Sequence, residues 1–232
     1  MNAIFLASPT VTLLALLVTI AAYAVALRLH HRWLWIAPIV AAALPIALGL
    51  HLLHIDYERY SHGSNLLTWL LGPATVALAV PMYRHGQALR GSLARLLLLV
   101  FLGSLVGMVS AGLTAWIFGA PLPVIASTLP KSVTTPIAIE LSRELHGLPQ
   151  LTVGLVILTG VLGASFGTLL LRLARVRDDR AIGAAMGTSA HGIGTASLMR
   201  HSEAQASVSS WAMAASGVIT SLLSALLRFF IH

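Results

Sequence analysis

Residues Pro121–His146 read PLPVIASTLPKSVTTPIAIELSRELH, and this stretch decides how the chain is laid out. It holds a short apolar piece, then Pro130-Lys131-Ser132-Val133-Thr134-Thr135-Pro136, then a short helix-like piece that ends in charges. Long apolar runs flank it, Leu96–Phe118 before and Leu151–Leu171 after. About 20 such residues cross the hydrocarbon core of a bilayer. Further runs lie at Pro9–Leu27, Trp33–Leu53, Leu66–Met82, Ala181–Met199 and Val208–Ile231. No positive charge precedes the first of them, which therefore reads as a retained helix and not as a signal peptide. Whether Pro121–His146 crosses the bilayer or turns back sets the direction of everything after it.

The arginines decide between the two. Short cytoplasmic loops are rich in Lys and Arg. Arg28 and Arg32 follow the first run, Arg84, Arg90 and Arg95 follow the third, and Arg172, Arg175, Arg177 and Arg180 follow Leu151–Leu171. All three groups share one side only if Pro121–His146 enters and returns. Charge counting thus predicts a crossed or re-entrant hairpin over 121–146, with the N-terminus outside and the C-terminus inside a bacterial cytoplasmic membrane.

Composition places the chain in the same class. Of 232 residues, 57% are hydrophobic and 9% charged, against about 25% charged in ordinary soluble domains. A water-soluble globule and a disordered chain are both excluded. Cysteine is absent, which removes disulfides, thiolate metal sites and cysteine nucleophiles. The net charge of +7 is spread as single arginines and short clusters between apolar runs. That is the pattern of membrane topology and not of nucleic-acid binding.

The expected fold is therefore an all-α polytopic membrane protein of about 7–8 segments, one membrane domain over 1–232. Residues 33–118 and 151–231 share a design: an intact helix, an interrupted helix, an intact helix. The interrupted members end alike, Tyr83-Arg84-His85 against Met199-Arg200-His201. An inverted repeat with broken helices near the midplane is the usual build of secondary transporters.

Broken segments matter because hydrocarbon satisfies no free backbone N–H or C=O. Three candidates stand out: Leu71-Gly72-Pro73-Ala74-Thr75, Pro130 to Pro136, and Gly187-Thr188-Ser189-Ala190-His191-Gly192-Ile193-Gly194-Thr195. A kink, or hydroxyls bonding back to their own helix, is the bland reading of each. Lys131 is the sharpest single residue, the only lysine in the chain. A charge at bilayer depth is costly and points to function; snorkelling to the headgroups is the alternative. Thr135 as N-cap and Pro136 at the first helical position suit a helix start whose positive end aims at the same place. Ser132, Thr134, Thr135, Thr75, Ser189 and Thr195 supply hydroxyls, and Thr188 stands beside Ser189. His191 offers a hydrogen bond or a proton. Gly72, Pro73, Pro130, Pro136, Gly187, Gly192 and Gly194 are the expected flexible or close-approach points.

Several chemistries are excluded by what the sequence lacks. The acids are Asp56, Glu58, Glu140, Glu144, Asp178, Asp179 and Glu203, none of them inside an apolar span. Cation carriers hold such carboxylates, so an anion fits better. There is no phosphate-binding Gly-Lys-Ser/Thr loop, no Ser-His-Asp set and no metal-ligand spacing. No enzyme, cofactor or metal is expected.

The segments Leu129–Ala138, Gly187–Ala196 and Leu71–Pro81 resemble the signature segments of the LrgB/CidB family. The resemblance runs over nearly the whole chain. It departs at Ser189-Ala190-His191-Gly192, where the family more often reads Ala-Ser-His-Ala, and at Ser61-His62-Gly63-Ser64, which lacks paired glycines. It implies two functions. One is a carrier of small 2-oxo or 2-hydroxy monocarboxylates of the pyruvate, glycolate, lactate and glycerate class. The other is an antiholin-like or holin-like regulator of murein hydrolase export and autolysis. It also implies a small LrgA/CidA-type membrane partner. A homodimer is expected from how such carriers assemble.

Overall fold

In a computed structural model of the chain, residues 9–32, 38–77, 91, 93–199 and 202–231 are described. They form ten helices, and among the described residues there is no strand. The chain divides into two compact units, residues 1–78 and 79–232. Four helices are long and apolar enough to cross a membrane: α1 (Pro9–Arg32), α5 (Leu93–Ile117), α8 (Pro149–Leu173) and α10 (Glu203–Ile231). The expected 7–8 segments exceed this number.

The first unit packs α1 against α2 (Pro38–Leu52) and the short α3 (Tyr57–Gly63), followed by α4 (Asn65–Ala77). The Tyr60 hydroxyl ties α3 to α1: Thr19 Oγ1 donates to the Ala15 carbonyl at 2.7 Å, so Tyr60 Oη donates to Thr19 Oγ1 at 2.7 Å. Gly63 closes the crossing, because a Cβ there would lie 2.8 Å from that of Ala15. Most of α1 is bare; Leu13, Leu14, Leu17 and Ile20 are all exposed. Such a surface suits lipid and not water.

One expected interruption is absent. Residues Leu71–Thr75 are not unwound, since α4 stays helical to Ala77 with Pro73 inside it. A proline deletes one N–H and kinks a helix without having to end it. The side chain of Thr75 lies outside the described residues, as do Pro81, Tyr83-Arg84-His85 and Arg200-His201. The proposed pairing of residues 33–118 with 151–231 therefore rests on the sequence alone.

The second unit contains two hairpins. Helices α6 (Leu122–Thr128) and α7 (Thr135–Glu144) form the first, over the stretch expected to turn back. Its arms are pinned to α8 by buried hydroxyls. Thr152 Oγ1 donates to Ser142 Oγ at 2.7 Å, with the Ser127 carbonyl at 3.1 Å, and the Leu148 N–H donates to Ser127 Oγ at 2.7 Å. Ser127, Ser142 and Thr152 are each 0% exposed. Nothing in the sequence links these three positions, and sequence reading missed them.

The second hairpin is α9 (Asp179–Leu198), which is two helices joined at a break: His191 has φ 41° and ψ −138°. Close contacts show that the chain reverses there. A Cβ on Gly194 would lie 3.3 Å from the Met186 carbonyl oxygen, whereas eight residues of straight helix span about 12 Å. Leu198 joins Ile182, Met186 and Ala206 in one buried cluster. The arms are 179–190 and 192–198. Gly192 and Gly194 are weak helix formers, and the left-handed backbone at His191 makes the turn. The run Ala181–Met199 is thus re-entrant and not a crossing.

This reversal changes the direction of the last helix. Leu96 and Val100 of α5 pack with Ala184, Val208 and Ala212, and Ser104 of α5 meets Ser216 of α10. Rising residue numbers in α5 therefore match rising numbers in α10, and the two run parallel. Gly167, Gly163 and Gly160 of α8 meet Met186, Ala190 and His191 in turn, so α8 runs antiparallel to the first arm of α9. Arg95 and the Arg172–Arg180 group consequently lie at one end of the unit, as charge counting required. The C-terminal end of α10 lies at the other end. An inside C-terminus, expected from a crossing at 181–199, does not follow once that run turns back.

Candidate functional site

The two hairpin tips reach the same level. Ser132 of the first tip faces α5 at Gly107, where a Cβ would lie 3.8 Å from its hydroxyl. Thr188, just before the second tip, faces α5 one turn away at Gly103, 3.1 Å from a Cβ there. The same pairing recurs on α8. Val133 of the first tip clusters with Val156, and His191 of the second packs on Gly160 one turn along. Gly103, Gly107 and Gly160 sit near the middle of helices 25 residues long. Each long helix thus carries both tips, side by side, at its midpoint.

The first tip is chemically open. Lys131 is half-buried, and its Nζ donates to Ser132 Oγ at 3.3 Å. Among the described residues it has no acidic partner; the ion pair found there joins Arg143 to Glu140. Pro130 and Val133 are buried around it. Thr134, and not Thr135, is the N-cap of α7: it is extended at φ −64° and ψ 145°, and the helix begins at Thr135 with Pro136 next. The Thr134 hydroxyl does not close the cap, and its Oγ1 is buried without any partner. An unmade hydrogen bond of this kind costs about 1–3 kcal/mol. Lys131, Ser132, Thr134 and the N-terminus of α7 therefore converge on one tip, with donors for an anion.

The second tip is chemically closed. His191 is 3% exposed, and its ring lies 2.9 Å from the Val156 carbonyl. A carbonyl only accepts, so Nε2 carries the proton. Thr195 Oγ1 donates to the His191 carbonyl at 2.8 Å and takes the Ser209 hydroxyl at 2.8 Å. These bonds hold the break rigid. A non-glycine residue at positive φ stores about 1–3 kcal/mol of strain, and the ring bond and tight packing offset it.

Four expected residues are placed differently. Ser189 is exposed and donates to its own helix at the Ala185 carbonyl, 2.7 Å away, so it does not face the tips. Its neighbour Thr188 takes that place. Gly187 is a packing contact, with the Ser209 backbone against it. Pro136 is exposed on α7. The described residues hold no cluster that fits a metal ion.

Comparison with known proteins agrees with the motifs. Residues 19–229 match the LrgB-like family. The chain is 33% identical to the uncharacterised protein YxaC of Bacillus subtilis strain 168, covering 96% of this chain and 97% of that one. It is 31% identical to the holin-like protein CidB of Staphylococcus aureus strain Mu50, covering 91% and 93% respectively. It is 29% identical to the antiholin-like protein LrgB of Bacillus mycoides, covering 93% and 95%. No solved structure matches the chain. The chain belongs to the LrgB-like family, and it is a multi-pass membrane protein.

Proposed function

Taking membership of the LrgB-like family as the premise, we propose that the chain carries a small 2-oxo or 2-hydroxy monocarboxylate across the bilayer by alternating access. One observation carries this reading. The only lysine of the chain sits without an acidic partner at a hairpin tip, beside an unpartnered hydroxyl, halfway along two long apolar helices. A fixed cation there costs several kcal/mol unless it meets an anion. Lys131, Ser132, Thr134 and the first N–H groups of α7 hold the carboxylate. Thr188 meets the hydroxyl or keto oxygen. His191 and Thr195 position the opposing tip and do not touch the substrate. The protein acts as a homodimer with a small LrgA/CidA-type partner, and not as an enzyme. With the arginine loops cytoplasmic, both ends of the chain lie outside.

The relatives' names favour a second reading, a holin-like or antiholin-like regulator of murein hydrolase export and autolysis. Uptake of labelled pyruvate and glycolate into proteoliposomes separates the two. Saturable uptake that Lys131→Ala abolishes supports the carrier. Leakage of unrelated dyes without saturable uptake sinks it and favours the regulator. Lys131→Arg sharpens the site, because a planar fork does not replace a point charge.

A further inference from the structure

A line of hydroxyls runs along α10 from the level of the tips toward its C-terminal end. Ser216, Thr220 and Ser224 follow at i, i+4 and i+8, all on one face. They are 1%, 3% and 1% exposed. Val218 and Leu222, on the opposite face, are 63% and 62% exposed. Ser216 shares a hydrogen bond of 3.0 Å with Ser104 of α5, between the two glycines that the tips touch. From there to Ser224 is about 12 Å of helix. The end of the line is unusual. Ser210 and Ser221 bond back to the carbonyls of Ala206 and Gly217, the ordinary solution for serine in an apolar helix. Ser224 Oγ does not, and it is buried without any partner.

A seam of serines that only let two helices approach would leave no hydroxyl unmade. A buried hydroxyl that declines its own helix is one that water or solute completes. We propose that this face of α10 lines a hydrated half-path for water and small anions, leading from the tips to the C-terminal end of α10. The inference rests on the chain spanning a bilayer and not on the carrier reading.

The cysteine-free chain allows a direct test in proteoliposomes. Thr220→Cys and Ser224→Cys are compared with Val218→Cys and Leu222→Cys, each a single cysteine, using the anionic, membrane-impermeant 2-sulfonatoethyl methanethiosulfonate. Serine to cysteine is nearly isosteric, and size-exclusion profiles confirm folding. A thiol reacts as its thiolate, which needs water. The expected result is labelling roughly tenfold or more faster on the hydroxyl face than on the opposite one. Equal rates, or faster labelling at 218 and 222, overturn the path and leave a dry packed seam. Excess pyruvate separates the two proposals. Fast labelling that pyruvate does not slow upholds the path while counting against the carrier.

Discussion

The two hairpin tips meet at the same level of the second unit and are built on opposite terms. The first presents a cation and a buried hydroxyl with nothing to bind. The second spends every bond it makes on itself and its neighbours: His191 on Val156, Thr195 on His191 and Ser209. Local strain is also unequal, since the positive φ lies at His191. The difference assigns roles. Unmet polar groups mark where a ligand is wanted, and satisfied ones beside strained backbone mark where a fixed wall is wanted.

Four substitutions break or sharpen that contrast. The largest effect is expected from Lys131→Ala. A charge-assisted hydrogen bond is worth about 1.5–3 kcal/mol, so uptake efficiency in proteoliposomes falls by roughly ten- to a hundredfold while the melting temperature in detergent hardly moves. A large loss of melting temperature instead would make Lys131 a structural residue. Next comes Thr152→Val, which leaves the Ser142 hydroxyl and Ser127 carbonyl poorly met. It should destabilise by about 1–3 kcal/mol, read as an earlier thermal transition. An unchanged transition would show that the first hairpin is held by its apolar contacts alone. Third, His191→Gly should be more stable than His191→Ala by about 1 kcal/mol. Both lose the ring bond, and only glycine is comfortable at φ 41°. The reverse order would mean that the break is unstrained in the bilayer. Smallest is Ser189→Ala, within about 0.5 kcal/mol of wild type in stability and unchanged in uptake. A transport defect there would return Ser189 to the site.

These placements show what a sequence can and cannot carry. The return of 121–146 was legible, because arginine loops and prolines are local signals. The break in 187–195 was legible for the same reason, being dense in glycine and hydroxyls. Which hydroxyl faces inward was not. Ser189 and Thr188 are adjacent, about 100° apart on a helix, and only the packing of α9 on α5 chooses between them. Pro73 misled, since proline marks a place where a helix bends as often as one where it stops. Thr134 and Thr135 differ by one residue, within the usual uncertainty of a helix start. The hydroxyls of Ser127, Ser142 and Thr152 meet only through the folding of three separate elements. The spacing of Ser216, Thr220 and Ser224, by contrast, is written in the sequence, although an intact helix gave no reason to look for it.

The glycines of α8 carry a mechanical consequence. Gly160, Gly163 and Gly167 let the second hairpin lie directly on that helix, and Gly183 and Gly187 let α10 lie on the hairpin. Surfaces so close leave no slack for one member to swing alone. Any cycle that changes access at the tips must displace α8, α9 and α10 together, as a block whose outer faces slide against acyl chains. Its speed is then set partly by the lipid. Turnover should fall as the bilayer is made thicker or stiffer, because mismatch penalises every ångström of vertical travel. A small flap opening inside a fixed frame would be indifferent to the same change.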